Sequence, residues 1–76
     1  MMKVVVQDGD RLIELDDITI DKYYPNLIMG YNGEFSIGLA EYFTPEKTKE
    51  VFDQFIRAIE NGAVLFRFPK KERNDK

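Results

Sequence analysis

Apolar side chains between positions 44 and 62 recur with the period of an α-helix. At about 100° per residue, Ala58, Val51, Phe55, Ile59, Phe52 and Ile56 fill one arc of about 160°, with Glu46, Glu50, Asp53, Arg57 and Glu60 opposite. Thr44 offers an N-cap hydroxyl, and Pro45 stands at the first helical position, where its missing N–H costs nothing. Gly62, after Asn61, supplies the left-handed residue that ends a helix. The segment is predicted as the only long helix, packed on a sheet through Val51, Phe52, Phe55 and Ile59.

Elsewhere the pattern is that of strands. Residues 3–7 and 11–15 flank Asp8-Gly9 and predict a hairpin, closed by a type I′ turn or, because Asp10 follows, by a three-residue loop with a bulge. Past Asp16-Asp17, residues 18–20 either extend the second strand beyond a bulge or form a short strand of their own. Tyr23-Tyr24-Pro25 reads as a connection, since the residue before a proline is pushed toward extended geometry. Residues 27–31 and 34–43 about Asn32-Gly33 form a second hairpin. In its latter strand Phe35, Ile37, Leu39 and Phe43 alternate with Ser36, Gly38, Ala40 and Tyr42. The smaller face is expected to lie under the helix, with a ligand cleft as the alternative. Residues 63–68 form a last strand, stopped by Pro69 and parallel to the strand before the helix through a right-handed crossover.

The expected fold is α+β in the order ββββαβ. It consists of a small mixed, mainly antiparallel sheet of two hairpins plus a final strand, with one amphipathic helix packed on one face. Residues 1–68 form one globular domain, and 69–76, with no apolar side chain after the proline, a charged disordered tail.

Composition narrows the chemistry. A chain of 76 residues has a small core, and with no Cys no disulfide supplements it. The absence of both Cys and His removes the usual zinc ligands. Ser36 is the only serine, so no Ser-His-Asp, Cys-His or Ser-x-x-Lys arrangement can be written, and the scattered glycines form no phosphate-binding loop. No catalytic residue, cofactor or metal site is expected, and the chain is read as a non-enzyme. The short apolar run at the N-terminus and the lack of a membrane-length apolar stretch give a cytoplasmic location as the expectation.

Charge is unevenly distributed within the net −3. Residues 1–46 carry nine acidic and three basic side chains, residues 47–76 five and eight. The acidic cluster Asp8, Asp10, Glu14, Asp16, Asp17 and Asp21 lacks the spacing of a calcium loop and is accounted for by turn chemistry. Arg67, Lys70, Lys71, Arg73 and Lys76 near Phe66 and Phe68 combine charge with rings, as single-strand binders do, but Glu72 and Asp75 dilute them.

The most informative feature is apolar doubling. Val4-Val5-Val6, Leu12-Ile13, Leu27-Ile28-Met29 and Val64-Leu65-Phe66 place apolar groups on both faces of their strands, and a helix about 25 Å long and 10 Å wide covers one face only. The expectation is a non-catalytic interaction domain, homodimeric at micromolar concentration or docking another protein through an apolar sheet face or edge. Val5, Ile13, Ile28, Leu65, Tyr23 and Tyr24 are its candidate interface residues. The alternative is a nucleic-acid-directed regulator. Lys70, Lys71 and Arg73 would then touch phosphates, or Asp8, Asp10, Asp16 and Asp17 would imitate them.

Overall fold

The computed structural model describes residues 2–7, 9, 11–33 and 35–71, Met2 by its backbone only. It is an α+β fold with strands β1 (Met2–Val5), β2 (Leu12–Leu15), β3 (Asp17–Ile20), β4 (Leu27–Asn32) and β5 (Phe35–Glu41), helix α1 (Pro45–Glu60), and strand β6 (Leu65–Arg67). Asp16 alone separates β2 from β3, so the two are halves of one bent strand and the order is ββββαβ.

The strands divide between two sheets where the pattern predicts one. The first runs β2-β1-β6 and the second β3-β4-β5. β6 lies parallel to β1, Val4 opposite Phe66, and in a different sheet from β5, so the expected crossover from β5 to a parallel β6 does not stay within one sheet. The reason is the bend at Asp16, which carries the strand out of the first sheet into the second. There Asp16 donates its N–H to the Tyr31 carbonyl at 3.0 Å. β1 keeps β2 on one side and offers its other side to β6.

A second seam ties β1 to β5. At the Ile28/Met29 step the register shifts, Ile28 pairing with Ala40 but Met29 with Gly38, so Leu39 is the extra residue of a β-bulge. The Leu39 carbonyl accepts the Gln7 N–H at 2.9 Å. The Gln7 side chain continues the pairing as a strand backbone would, accepting from Glu41 N at 2.9 Å and donating to Glu41 O at 2.8 Å. Because the bulge reverses the alternation, Ala40 and Tyr42 turn inward while Ser36 and Gly38 stay outward. Gly38 therefore faces solvent instead of lying under the helix, beside a shallow depression of about 240 Å³.

Both hairpin turns depart from the dipeptides that signal them. Asn32 already pairs with Phe35, so the second turn begins at Gly33 (φ +59), one position later than Asn32-Gly33 implies. In the first hairpin Val6 donates to the Arg11 carbonyl at 3.0 Å and Gly9 (φ +84) to the Val6 carbonyl at 2.7 Å, which makes the connection longer than a two-residue turn.

The helix ends agree with expectation. Thr44 Oγ1 accepts from Lys47 N at 3.0 Å. At the other end Gly62 (φ +88) donates to Ile59 O and Ala63 to Ala58 O, both at 2.9 Å, the paired bonds of a Schellman motif. The buried face is narrower than the apolar arc. Thr48, Val51 and Phe55 are buried, whereas Ile56 and Ile59 remain 39% and 37% exposed. Thr48 tolerates full burial because its hydroxyl donates to Thr44 O at 2.9 Å.

One core lies between the two inner sheet faces and α1. Val4, Val6, Leu15, Ile28, Leu39, Ala40, Tyr42, Val51, Phe55 and Phe68 form it. Phe55 is the hub of the aromatic part, its ring centroid 5.9 Å from Phe52, 5.3 Å from Phe66 and 5.7 Å from Phe68. Tyr42 donates its hydroxyl to the Pro69 carbonyl at 2.7 Å, which anchors the first residue assigned to the tail.

Three substitutions probe this packing. Phe55→Ala is expected to cost about 3–5 kcal/mol in urea unfolding, since three rings lose their common neighbour; an unchanged midpoint would contradict the hub. At Gly30 an added Cβ would stand 2.5 Å from Leu15 Cδ1 and 3.0 Å from Leu39 Cδ1. Gly30→Ala is expected to cost about 1–3 kcal/mol by overpacking. Gly38→Ala, whose nearest neighbour is Leu27 Cδ1 at an ordinary 3.5 Å, is expected to be neutral or better. Equal effects at the two glycines would refute the close approach of the sheets.

Candidate functional site

Register decides which apolar side chains the fold leaves outside. In the β2-β1-β6 sheet Val4 pairs with Ile13 and Phe66 on the inner face. Val5 pairs with Leu12 and Arg67, and Lys3 with Glu14 and Leu65, on the outer face. Directly paired residues share a face, so these six side chains form two adjacent rows, Leu12-Val5-Arg67 and Glu14-Lys3-Leu65. Leu12 is 62% and Leu65 47% exposed, and Val64 at the entry to β6 is 80% exposed. Val5, 7% exposed, is the floor of a shallow depression of about 310 Å³ that Gly9, Arg11, Leu12, Leu65 and Arg67 complete.

The opposite outer face, on β3-β4-β5, is mixed. Thr19, Met29 and Gly38 form one row and Asp17, Tyr31 and Ser36 the next. Leu27 pairs with Glu41 beyond them. Polar groups separate the apolar ones here, so an apolar surface continuous across neighbouring strands is confined to the first sheet.

The candidate interface residues fall in different places. Val5 and Leu65 share the outer face of the first sheet. Ile13 points inward, half-buried against the core. Ile28 is 0% exposed, and not at a surface as expected, because its pairing with Ile20 and Ala40 puts it at the centre of the inner face. Tyr23 and Tyr24 lie on the connection between β3 and β4, where Asp21 Oδ2 accepts both their N–H groups at 3.1 and 2.8 Å. Leu12, Lys3, Glu14 and Arg67 also belong to the face, although apolar doubling marked only Leu12, and the charge clusters held Glu14 and Arg67 apart from it. The pairing of Val5 with Leu12 is the signal that finds them, and it follows from a hairpin centred on Asp8-Gly9.

The charged candidates also separate. Asp8, Asp10 and Arg73 lie outside the described residues. Asp16 and Asp17 are exposed at the bend between the sheets, and Asp21 is occupied by its turn. Among the described residues no three acidic side chains gather as metal ligands would. Lys70 and Lys71 are exposed, with Lys71 Nζ 4.3 Å from the centroid of the Phe43 ring. Phe68 is 1% exposed and Phe66 packs edge-on against it at 5.1 Å, so neither ring is free to stack on a base. Among the described residues no helix is long and apolar enough to cross a membrane.

Tyr24 donates its hydroxyl to Glu41 Oε2 at 2.6 Å. That hydrogen bond first, then lost hydration and the carboxylate charge, raise the phenol pKa above its ordinary value. A raised pKa keeps the proton on, so the contribution of this contact is complete below the ordinary phenol range and is lost as pH rises through the raised value. Glu41→Gln is expected to lower the Tyr24 pKa, read from its ring resonances in an alkaline NMR titration. An unchanged titration would show that the contact does not form in solution.

Comparison with known proteins adds no constraint to this geometry: the chain matches no protein family, no curated protein and no solved structure.

Proposed function

We propose that the chain is a small non-catalytic interaction domain that self-associates through the outer face of the β2-β1-β6 sheet. The observation that carries this reading is the exposure of Leu12 and Leu65 on either side of Val5, on a face that no helix or strand among the described residues covers. The helix already has its core, between the inner faces, and cannot also serve this one. A small domain gains from covering such a surface with a neighbour, because its own folding removes a modest share of its apolar area from water.

Light scattering or sedimentation across the micromolar to millimolar range tests the reading. The wild-type chain is expected to associate with concentration, and to do so at least as well in high salt as in low, as apolar contacts do. Leu12→Lys is expected to abolish association while shifting the melting curve little, because the side chain is already 62% exposed. A wild-type chain that stays monomeric throughout, or a Leu12→Lys variant that associates unchanged, would overturn the proposal.

A further inference from the structure

The depression on the outer face of the first sheet joins an apolar floor to unbalanced positive charge, and the two together define what fits it. We infer that it is a binding site for a small aliphatic monocarboxylate, a medium-chain fatty acid in chemical type. The carboxylate lies between Arg11 and Arg67, and the alkyl chain rests on Val5 between Leu12 and Leu65. The inference goes beyond self-association and does not depend on it.

The charge comes first. Val5, Gly9, Arg11, Leu12, Leu65 and Arg67 line the depression, so two of its groups are cationic and none is acidic. Both arginines are exposed, and neither has an ion-pair partner among the described residues, where the salt bridges are Lys47–Glu50 and Lys49–Asp53. Lys3, the other cation of this face, has Glu14 directly opposite it in the pairing. Arg67 has only Val5 opposite it. A guanidinium takes a carboxylate through two parallel N–H···O bonds, a fit that an ammonium lacks. A polyanion is disfavoured, since residues 1–46 carry nine acidic and three basic side chains and the whole chain has a net charge of −3.

The apolar part sets the body of the ligand. Val5 is 7% exposed, whereas Leu12 and Leu65 are 62% and 47% exposed, so aliphatic walls stand above a covered floor. Leu12 and Arg67 lie on the two strands that flank β1, which makes the trough about 10 Å across. An alkyl chain of medium length spans that width. The volume of about 310 Å³ stands at the lower end of the roughly 300–1,000 Å³ of small-molecule sites. At the hairpin end Gly9 has no side chain, and nothing stands within 4 Å of where a Cβ would be, so that end is open to the ligand.

The test is an NMR titration of the full chain with octanoate, kept below its micelle-forming concentration. Saturable shifts are expected at the amides of Val5, Gly9, Leu12, Leu65 and Arg67, with Thr19 and Met29 on the other outer face unmoved. Acetate, which lacks the chain, and octanol, which lacks the charge, are expected to bind about tenfold or more weakly. Arg11→Gln and Arg67→Gln, each checked for a wild-type melting transition, are expected to weaken octanoate binding by about five- to tenfold. Lys49→Gln, on the exposed side of α1, is expected to leave it unchanged. Octanol binding as tightly as octanoate would overturn the inference, as would shifts that fall elsewhere or never saturate, or arginine variants that bind as the wild type does. A short peptide ending in leucine that binds more tightly than octanoate would overturn the free acid as the occupant. The titration reads the single chain, so a protein that stays monomeric at every concentration overturns self-association without touching this site.

Discussion

The contact on which the architecture depends is Leu15 seated against the bare Cα of Gly30. A single strand enters this fold in one sheet and leaves it in the other, and the change of sheet takes place at Asp16, immediately after Leu15. For the two sheets to close at that corner, the side chain before the bend must descend onto β4, and the space where a Cβ of Gly30 would stand is filled by the methyl groups of Leu15 and Leu39. A backbone without a side chain at this point permits the approach. The far side is closed by Gln7, whose backbone and side chain together meet the bulge at Leu39 and the strand end at Glu41. With both corners tied, the inner faces converge on one core, and a helix of 16 residues suffices to fill the opening.

That economy has a consequence for the surface. Where each sheet turns one face to the core, a run such as Val4-Val5-Val6 cannot send all its members inward. Val4 and Val6 enter the core and Val5 stays on the outer face. Leu12 and Leu65 are carried outward by their pairing partners, Val5 and Lys3, and not by any defect of packing. The exposed apolar face is therefore fixed by the same register that builds the interior, so it cannot be relieved by repacking side chains. A partner laid on that face would remove it from water.

The helix was the most legible part of the chain, because Thr44, Pro45 and Gly62 each act through local chemistry that the tertiary structure has no reason to override. The hairpins and the ββββαβ order were legible for the same reason. The division into two sheets was not, because it turns on one residue, Asp16, and on a glycine whose role appears only when Leu15 is placed over it. The bulge at Leu39 was equally hidden: an uninterrupted alternation puts Gly38 and Ala40 on one face, and one extra residue sends them to opposite faces. Of the surface residues, Val5 and Leu65 could be read from apolar doubling, but Ile28 shares that signal and is buried. Doubling shows that a strand has two apolar faces. Register alone shows which of them meets the core.

The central claim is that the outer face of the β2-β1-β6 sheet, and no other surface, meets a second copy. Backbone amide chemical shifts followed by NMR through serial dilution test it most directly, since they report on every strand in one experiment. The account predicts concentration-dependent shifts at Lys3, Val5, Leu12, Glu14, Leu65 and Arg67, with Thr19, Met29 and Ser36 on the other outer face unmoved. Shifts confined to the second sheet or to the exposed flank of α1 at Ile56 and Ile59, or none at any concentration, would contradict it.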